Sequence, residues 1–253
     1  MWAHIGRRLP GVVDTRSSPQ YPLTYYDDER RLYTIACMTT QTLLHIAEQI
    51  RADFIAKTAA RDAAVTISRE LIRYCSLTIR ASHRDEWDEA ERLLGEARRV
   101  AADLIVKVKP YPELYYTGYT QDALKELAEA HITLALARGQ DFPTPESIGV
   151  EFAAYLNGLA EAAGEFRRRA LDKIRDGHNK DCEQLLAAMD DIYDVLVTMD
   201  FPDAITGNLR RNTDMVRGVL ERTRGDITVS FREAELKAAV ESLRQELLAA
   251  KQA

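Results

Sequence analysis

The sequence is poor in cysteine, and its three cysteines lie far apart. Cys37, Cys75 and Cys182 form no CxxC pair and no other spacing typical of a metal site. Disulfide frameworks and zinc sites both need paired or clustered cysteines, so neither is expected. Because structural disulfides accumulate in oxidising compartments, this pattern favours a cytoplasmic protein.

Long hydrophobic runs and the common catalytic motifs are also missing. No stretch approaches the roughly 18 apolar residues of a membrane helix, and the N-terminus has no apolar signal-peptide core. We therefore expect a soluble, intracellular protein with no membrane partner. No Ser/His/Asp or Cys/His grouping, P-loop or GxGxxG motif occurs, which argues against serine hydrolases, P-loop NTPases and dehydrogenases.

Helix-breaking residues are absent from much of the chain. No proline occurs between residues 23 and 109, and no glycine between residues 12 and 94. The alternation of polar and apolar residues that marks β-strands is absent, as is any repeat of fixed length. The pattern predicts an all-α fold, a single domain of about six or seven long antiparallel helices.

The chain divides into two predicted segments. Residues 1–37 contain Pro10, Pro19 and Pro22 and are expected to be an irregular or disordered N-terminal extension. Residues 38–253 form the helical domain. Its helices are predicted over 39–84, 85–107, 120–138, 146–176, 179–199 and 208–251, the last with an irregularity at Gly225.

Two predicted helices each carry a pair of glutamates on one face. Glu126 and Glu129 are spaced i, i+3, and Glu161 and Glu165 are spaced i, i+4 among alanines and Gly158. Small neighbours let another helix approach closely, so the four carboxylates could converge. Carboxylate oxygens suit Mg²⁺ or Mn²⁺, and such clusters serve metal-assisted phosphodiester hydrolysis. The alternative is two separate solvated acidic faces, which 40 acidic residues make common.

The first long helix carries a cationic face. Against 40 acidic residues stand 34 basic ones, a net charge of −6, so a polyanion would need a local basic surface. Four arginines lie within about 60° of one another on the helical wheel, opposite Leu71 and Cys75: Arg69, Arg73, Arg80 and Arg84. Phosphate binding and ion pairing with Glu-rich neighbouring helices are both open uses. His83 is a further candidate for phosphate contact.

Two further patterns include aromatic residues. The tyrosines of the connector after Pro110 could stack on bases or anchor the connector to the core: Tyr111, Tyr115, Tyr116 and Tyr119. In the helix after Pro145, Phe152, Leu156, Leu159, Ala163 and Phe166 step by four and three. That spacing predicts a buried stripe beginning at Phe152.

Several segments, in order, resemble the translin–Trax family over about residues 50–235. They are Ser68–Glu70 with Arg73, Ser76, Arg80 and His83–Arg84, then Leu114–Gly118 leading into Asp122–Ala130, and Tyr155–Glu165. Phe201–Ala204, Leu209–Arg211 and Glu221–Asp226 look particularly like the archaeal members.

This resemblance implies an all-α fold that assembles into closed octameric shells with nucleic acid inside. Translin-type subunits bind single-stranded RNA and DNA, whereas Trax-type subunits supply a Mg²⁺-dependent endoribonuclease site of four carboxylates on two helices. Glu126, Glu129, Glu161 and Glu165 match those four, with Glu161 standing where the Trax pattern has Asp.

The resulting expectation is a homo-oligomeric endoribonuclease that uses Mg²⁺, or Mn²⁺, to cut single-stranded RNA. The four glutamates would bind the metal and be the catalytic residues, and the four arginines would hold the strand. Two alternatives remain: a non-catalytic, translin-type protein that binds single-stranded RNA or DNA, and a helical scaffold in which the arginines only form ion pairs.

Overall fold

The computed structural model describes residues 24–177 and 179–251, and their side chains over residues 40–177 and 181–251. All regular structure in this part of the chain is helical, as the sequence predicts. The helices are α1 (Thr24–His83), α2 (Trp87–Val108), α3 (Pro112–Tyr115), α4 (Gly118–Ala137), α5 (Pro145–Ile148), α6 (Phe152–Arg175), α7 (Asn179–Val197), α8 (Asp203–Thr206) and α9 (Leu209–Ala250). No helix in the described part is long and apolar enough to cross a membrane.

Helix α1 begins earlier than the sequence predicts. Residues 24–37, which we expected to be part of an irregular extension, are helical. Pro22 is the last helix breaker before this segment, so nothing after it interrupts the helix. Residues 1–23 lie outside the described residues. The chain divides into two units after Ala56, and the site described below lies wholly in the second, residues 57–253.

Other helix boundaries differ where single residues turn the backbone. Asp85, expected to cap α2, has a φ of 57° in the turn between α1 and α2, and α2 begins at Trp87. The helix expected from residue 146 is split in two, because Gly149 adopts a left-handed φ of 81° that ends α5. Helix α9 continues through Gly225 without the expected irregularity.

Helix α6 is the centre of the second unit and packs against α4, α7 and α9. Its buried stripe includes Leu159, Ala163 and Phe166. The predicted first member of that stripe, Phe152, is instead 68% exposed, since it lies at the first residue of the helix.

Gly158 sets the distance between α4 and α6. A Cβ atom at this position would lie 2.6 Å from the backbone oxygen of Lys125 and 2.8 Å from the Cβ of Ala128. Only glycine permits so close an approach of two helix backbones. The predicted role of small residues on this face is therefore confirmed at Gly158.

Arg169 connects α6 to the C-terminal ends of α1 and α4. Its guanidinium donates to the backbone oxygens of Ser82 and Ala137 and to the carboxylate of Asp85, and it lies over the ring of Trp87. Ser82 and Ala137 lie in the last turns of α1 and α4, where carbonyl groups lack partners within the helix. One side chain thus fixes the relative positions of three helices near the glutamates.

A candidate metal centre between α4 and α6

Three of the four predicted glutamates come together where α4 crosses α6. Glu126 and Glu129 lie on α4 and Glu161 on α6, and one carboxylate oxygen of each lies within 4.8 Å of the others. Glu129 is buried, with 8% of its surface exposed, while Glu126 and Glu161 are half-buried. The contact at Gly158, one turn before Glu161, is what places the two helices close enough.

The proximity of these carboxylates changes their proton affinity. Burial, with the charges of Glu126, Glu161 and Glu165, raises the pKa of Glu129 to about 8, against an opposing effect of Lys125. Burial also raises the pKa of Glu126. Like charges at this distance repel strongly unless a proton or a cation intervenes. Around neutral pH, Glu129 without a bound cation therefore carries a proton.

Lys125 contributes a positive charge to this cluster. Its Nζ lies 2.7 Å from Oε1 of Glu161 and 3.6 Å from Oε1 of Glu126. Burial lowers the pKa of this amine, but its pairing with Glu161 and Glu126 outweighs burial, so the net shift is upward and the group stays charged. One ammonium does not balance three carboxylates. Sequence reasoning missed Lys125, although its position directly before Glu126 was the available signal.

Glu165 lies beside the other three carboxylates and is engaged by a histidine of α1. Nε2 of His83 donates to Oε2 of Glu165 at 2.5 Å, and the His83 side chain is only 5% exposed. This hydrogen bond lowers the pKa of Glu165. The sequence suggested that His83 contacts phosphate; the structure pairs it with a glutamate instead. Glu165 is near enough to influence Glu129 but is not part of the three-carboxylate group.

The donor set fits a hard divalent cation. Every candidate ligand atom is a carboxylate oxygen, which Mg²⁺ and Mn²⁺ prefer. Glu129, the most buried of the three, lies among like charges and forms no hydrogen bond or ion pair with any described residue. A divalent cation would remove that repulsion and keep all three groups ionised.

All four predicted arginines are exposed; Arg69, Arg73 and Arg80 lie along the C-terminal half of α1, and Arg84 lies in the turn that follows it. Arg84 is paired with Glu86 through two hydrogen bonds of 2.8 and 2.6 Å, and the guanidinium of Arg73 lies 5.6 Å from the ring centre of Tyr74. Arg69 and Arg80 form no ion pair with any described residue. Ion pairing to neighbouring helices, one of the two uses left open by the sequence, is therefore not seen for these two.

Comparison with known proteins identifies the fold family. No family model matches the sequence. The crystal structure of AfC3PO is 32% identical, with a TM-score of 0.68 over 75% of this chain and 98% of that chain. The AfC3PO complex with duplex RNA is 34% identical, with a TM-score of 0.65 over 75% of this chain and 97% of that one. Both are archaeal, translin/Trax-like proteins. This chain belongs to the translin–Trax family.

Two further proteins are similar to this chain. Apo-NeC3PO is 20% identical with a TM-score of 0.67 over 72% of this chain and 96% of that chain, a likeness of fold. An uncharacterized protein of Methanocaldococcus jannaschii is 29% identical over 183 residues, which are 72% of this chain and 81% of that protein. The resemblance drawn from the sequence motifs is thus confirmed as family membership.

Proposed function

We propose that this protein is a Mg²⁺-dependent endoribonuclease subunit that binds and cleaves single-stranded RNA within a homo-oligomeric shell. The observation that carries the proposal is the meeting of Glu126, Glu129 and Glu161, whose carboxylate oxygens come within 4.8 Å of one another. Mn²⁺ would serve the same donors.

Each glutamate has a definite part in this proposal. Glu126, Glu129 and Glu161 would hold the cation, and Glu165, which accepts a hydrogen bond from His83, would be the fourth ligand. A bound divalent cation would polarise the phosphodiester and acidify a water molecule. Lys125 keeps its charge next to Glu161 and limits the repulsion within the cluster.

RNA binding is supported by a family member and by the charge of α1. AfC3PO, at 34% identity, has been solved with duplex RNA. Arg69 and Arg80 present guanidinium groups that no described carboxylate neutralises, and Arg73 and Arg84 extend the same face. Guanidinium groups bind phosphate well. We assign these four arginines to the RNA backbone, with single-stranded DNA as a possible further ligand.

A cleavage assay tests the proposal. End-labelled single-stranded RNA is incubated with the protein and Mg²⁺, with EDTA in place of Mg²⁺, and with Glu129→Gln. We expect cleavage only in the first reaction, with at least a roughly 100-fold lower rate for Glu129→Gln, since small displacements of catalytic ligands have effects of that size. Glu233→Gln, an exposed glutamate on α9, is the matched control and should cleave normally. Cleavage that persists in EDTA and in Glu129→Gln would contradict the proposal.

The contact of Lys125 favours one second candidate, a non-catalytic RNA-binding subunit. Its ammonium already pairs with Glu161 and Glu126, as in a purely structural ion cluster. This candidate predicts salt-sensitive RNA binding that Arg73→Ala weakens, and no cleavage with either Mg²⁺ or Mn²⁺. The same assay, accompanied by a binding measurement, separates the two candidates.

A further inference from the structure

An open cleft adjoins the carboxylate cluster and has no part in the function proposed so far. It has a volume of about 910 Å³ and lies between the N-terminal parts of α4 and α6, the turn at α8 and the start of α9. Glu161 belongs to the cluster and also lines the cleft, as does its partner Lys125, so the cleft borders the cluster. Its volume is near the upper end of the range of small-molecule sites, about 300–1,000 Å³, large enough for a nucleotide.

Two exposed aromatic rings line this cleft. Phe152 and Tyr116 are each 68% exposed, although apolar rings of this size are usually buried. Tyr115, the neighbour of Tyr116, is partly buried and donates to Glu151, and its ring meets that of Tyr116 edge-on. Tyr115 therefore holds the segment between α3 and α4 in place, and Tyr116 exposes its ring to the cleft.

Two cationic side chains line the cleft, Lys125, which is paired with Glu161, and Arg211. Arg211 is the one whose charge no described carboxylate neutralises. It is exposed and forms no ion pair with any described residue. Its neighbour on α9, Arg210, lies outside the cleft lining and is paired with Asp200 at 3.2 Å. An unneutralised guanidinium beside exposed aromatic rings is the combination that binds a phosphate and stacks its base.

Polar amides complete the lining and argue against an apolar occupant. Asn157 donates from Nδ2 to the backbone oxygens of Ala153 and Thr206, which fixes its Oδ1 as an acceptor for Nδ2 of Asn212. Gln121 uses Nε2 to hold the backbone oxygen of Tyr115. The side-chain oxygens of Asn212 and Gln121 are left without a partner in the described part of the chain. An apolar cover would leave such acceptors unpaired, whereas the amino groups of bases can donate to them.

We infer that this cleft is a nucleotide subsite, in which one base of the RNA strand stacks on Phe152 and Tyr116 and the adjoining phosphate binds Arg211. This inference rests on the proposed function, because it makes the cleft the path by which the strand reaches the glutamates. Asp122 and Glu151 also line the cleft, so the phosphate is held at the Arg211 side.

Binding measured without catalysis tests the inference separately. Fluorescence anisotropy of a short labelled single-stranded RNA is recorded in EDTA for the whole protein. We expect Phe152→Ala, Tyr116→Ala and Arg211→Ala each to weaken binding by about 5-fold or more, the lower end of the effect of removing one base–aromatic stack. Phe201→Ala and Arg210→Ala are matched controls, exposed and outside the cleft lining, and should bind within about 2-fold of the unaltered protein. RNA carrying 5-iodouridine should photo-cross-link to Phe152 or Tyr116.

The outcomes distinguish failure of the cleft from failure of the proposed function. If the unaltered protein binds and cleaves RNA but the cleft variants bind like the controls, the inference is wrong and the proposed function stands. If the cleft variants change the mass of the assembly in light scattering, the cleft is a contact between copies and the inference is also wrong. If the unaltered protein binds no RNA, both are wrong.

Discussion

At the scale of single residues, the glutamate most sensitive to its surroundings is Glu129. Burial and neighbouring carboxylates raise its pKa from an ordinary 4.5 to about 8. Between these two values the folded protein binds more protons at this site than the unfolded chain does. Glu129 therefore adds to the free energy of unfolding below about pH 4.5. This contribution is lost as the pH rises through about 8.

This linkage gives a prediction that needs no enzymatic assay. Glu129→Gln has no proton to lose, so in EDTA its thermal midpoint should fall less than that of the unaltered protein between about pH 5 and about pH 8. Thermal unfolding followed by circular dichroism checks this expectation, with Glu233→Gln as control. If the thermal midpoints of Glu129→Gln and the unaltered protein change with pH in parallel, the pKa of Glu129 is not raised in this way.

Binding of a metal ion should offset the loss of stability that follows deprotonation of Glu129. Because ligands must be deprotonated, Mn²⁺ should raise the midpoint of the unaltered protein more at about pH 8 than at about pH 5. Glu129→Gln should respond little at either pH. An equal response of the two proteins would exclude Glu129 as a ligand.

At the scale of helices, the approach of α4 to α6 depends on Gly158. In Gly158→Ala the new methyl group would overlap backbone atoms of α4, and we expect a cost of about 1–3 kcal/mol in the free energy of unfolding. Separation of the helices would also move Glu161 away from Glu126 and Glu129, so any cleavage activity should fall by roughly 100-fold per ångström. Urea denaturation and the cleavage assay measure the two effects.

Gly164 on the same helix is the matched control. A Cβ there has no neighbour within 4 Å, so Gly164→Ala should be neutral or stabilise the protein by up to about 1 kcal/mol through helix propensity. If both substitutions have equal effects, the contact at Gly158 does not position the site.

At the scale of the whole molecule, α9 leaves an apolar stripe uncovered. Leu236, Val240, Leu243 and Leu247 are each more than half exposed and follow one another at steps of four, three and four. This spacing is typical of helices that pack against a partner helix, and exposed apolar surface of this kind marks association sites. The stripe supports the proposed homo-oligomer.

The double substitution Val240→Ser and Leu243→Ser tests this stripe. We expect a smaller assembly by size-exclusion chromatography with light scattering, because the contact loses its apolar side chains. Lys237→Ser with Gln245→Ser, on the same helix, should leave the mass unchanged. A double variant that keeps the full mass would place the oligomer contact elsewhere.

Local information in the sequence was enough for the helices and the family. The absence of proline and glycine over long stretches, with no strand periodicity, determined the all-α class, and ordered motifs from Ser68 to Asp226 indicated the translin–Trax family before any comparison. The spacing of Glu126 with Glu129 and of Glu161 with Glu165 also placed each pair on one helix face, because helical geometry alone relates residues three or four apart.

Only the tertiary structure decided which of those faces meet. The contact at Gly158 brings Glu161 to the glutamates of α4, and the end of α1 supplies His83 to Glu165. The position of Lys125 before Glu126 indicates that it lies near that glutamate, but its pairing with Glu161 on α6 depends on how the two helices pack. The exposed ring of Phe152 likewise acquires its surroundings from segments distant in sequence. The periodicity of one helix says which residues share a face; it does not say what another helix places opposite them.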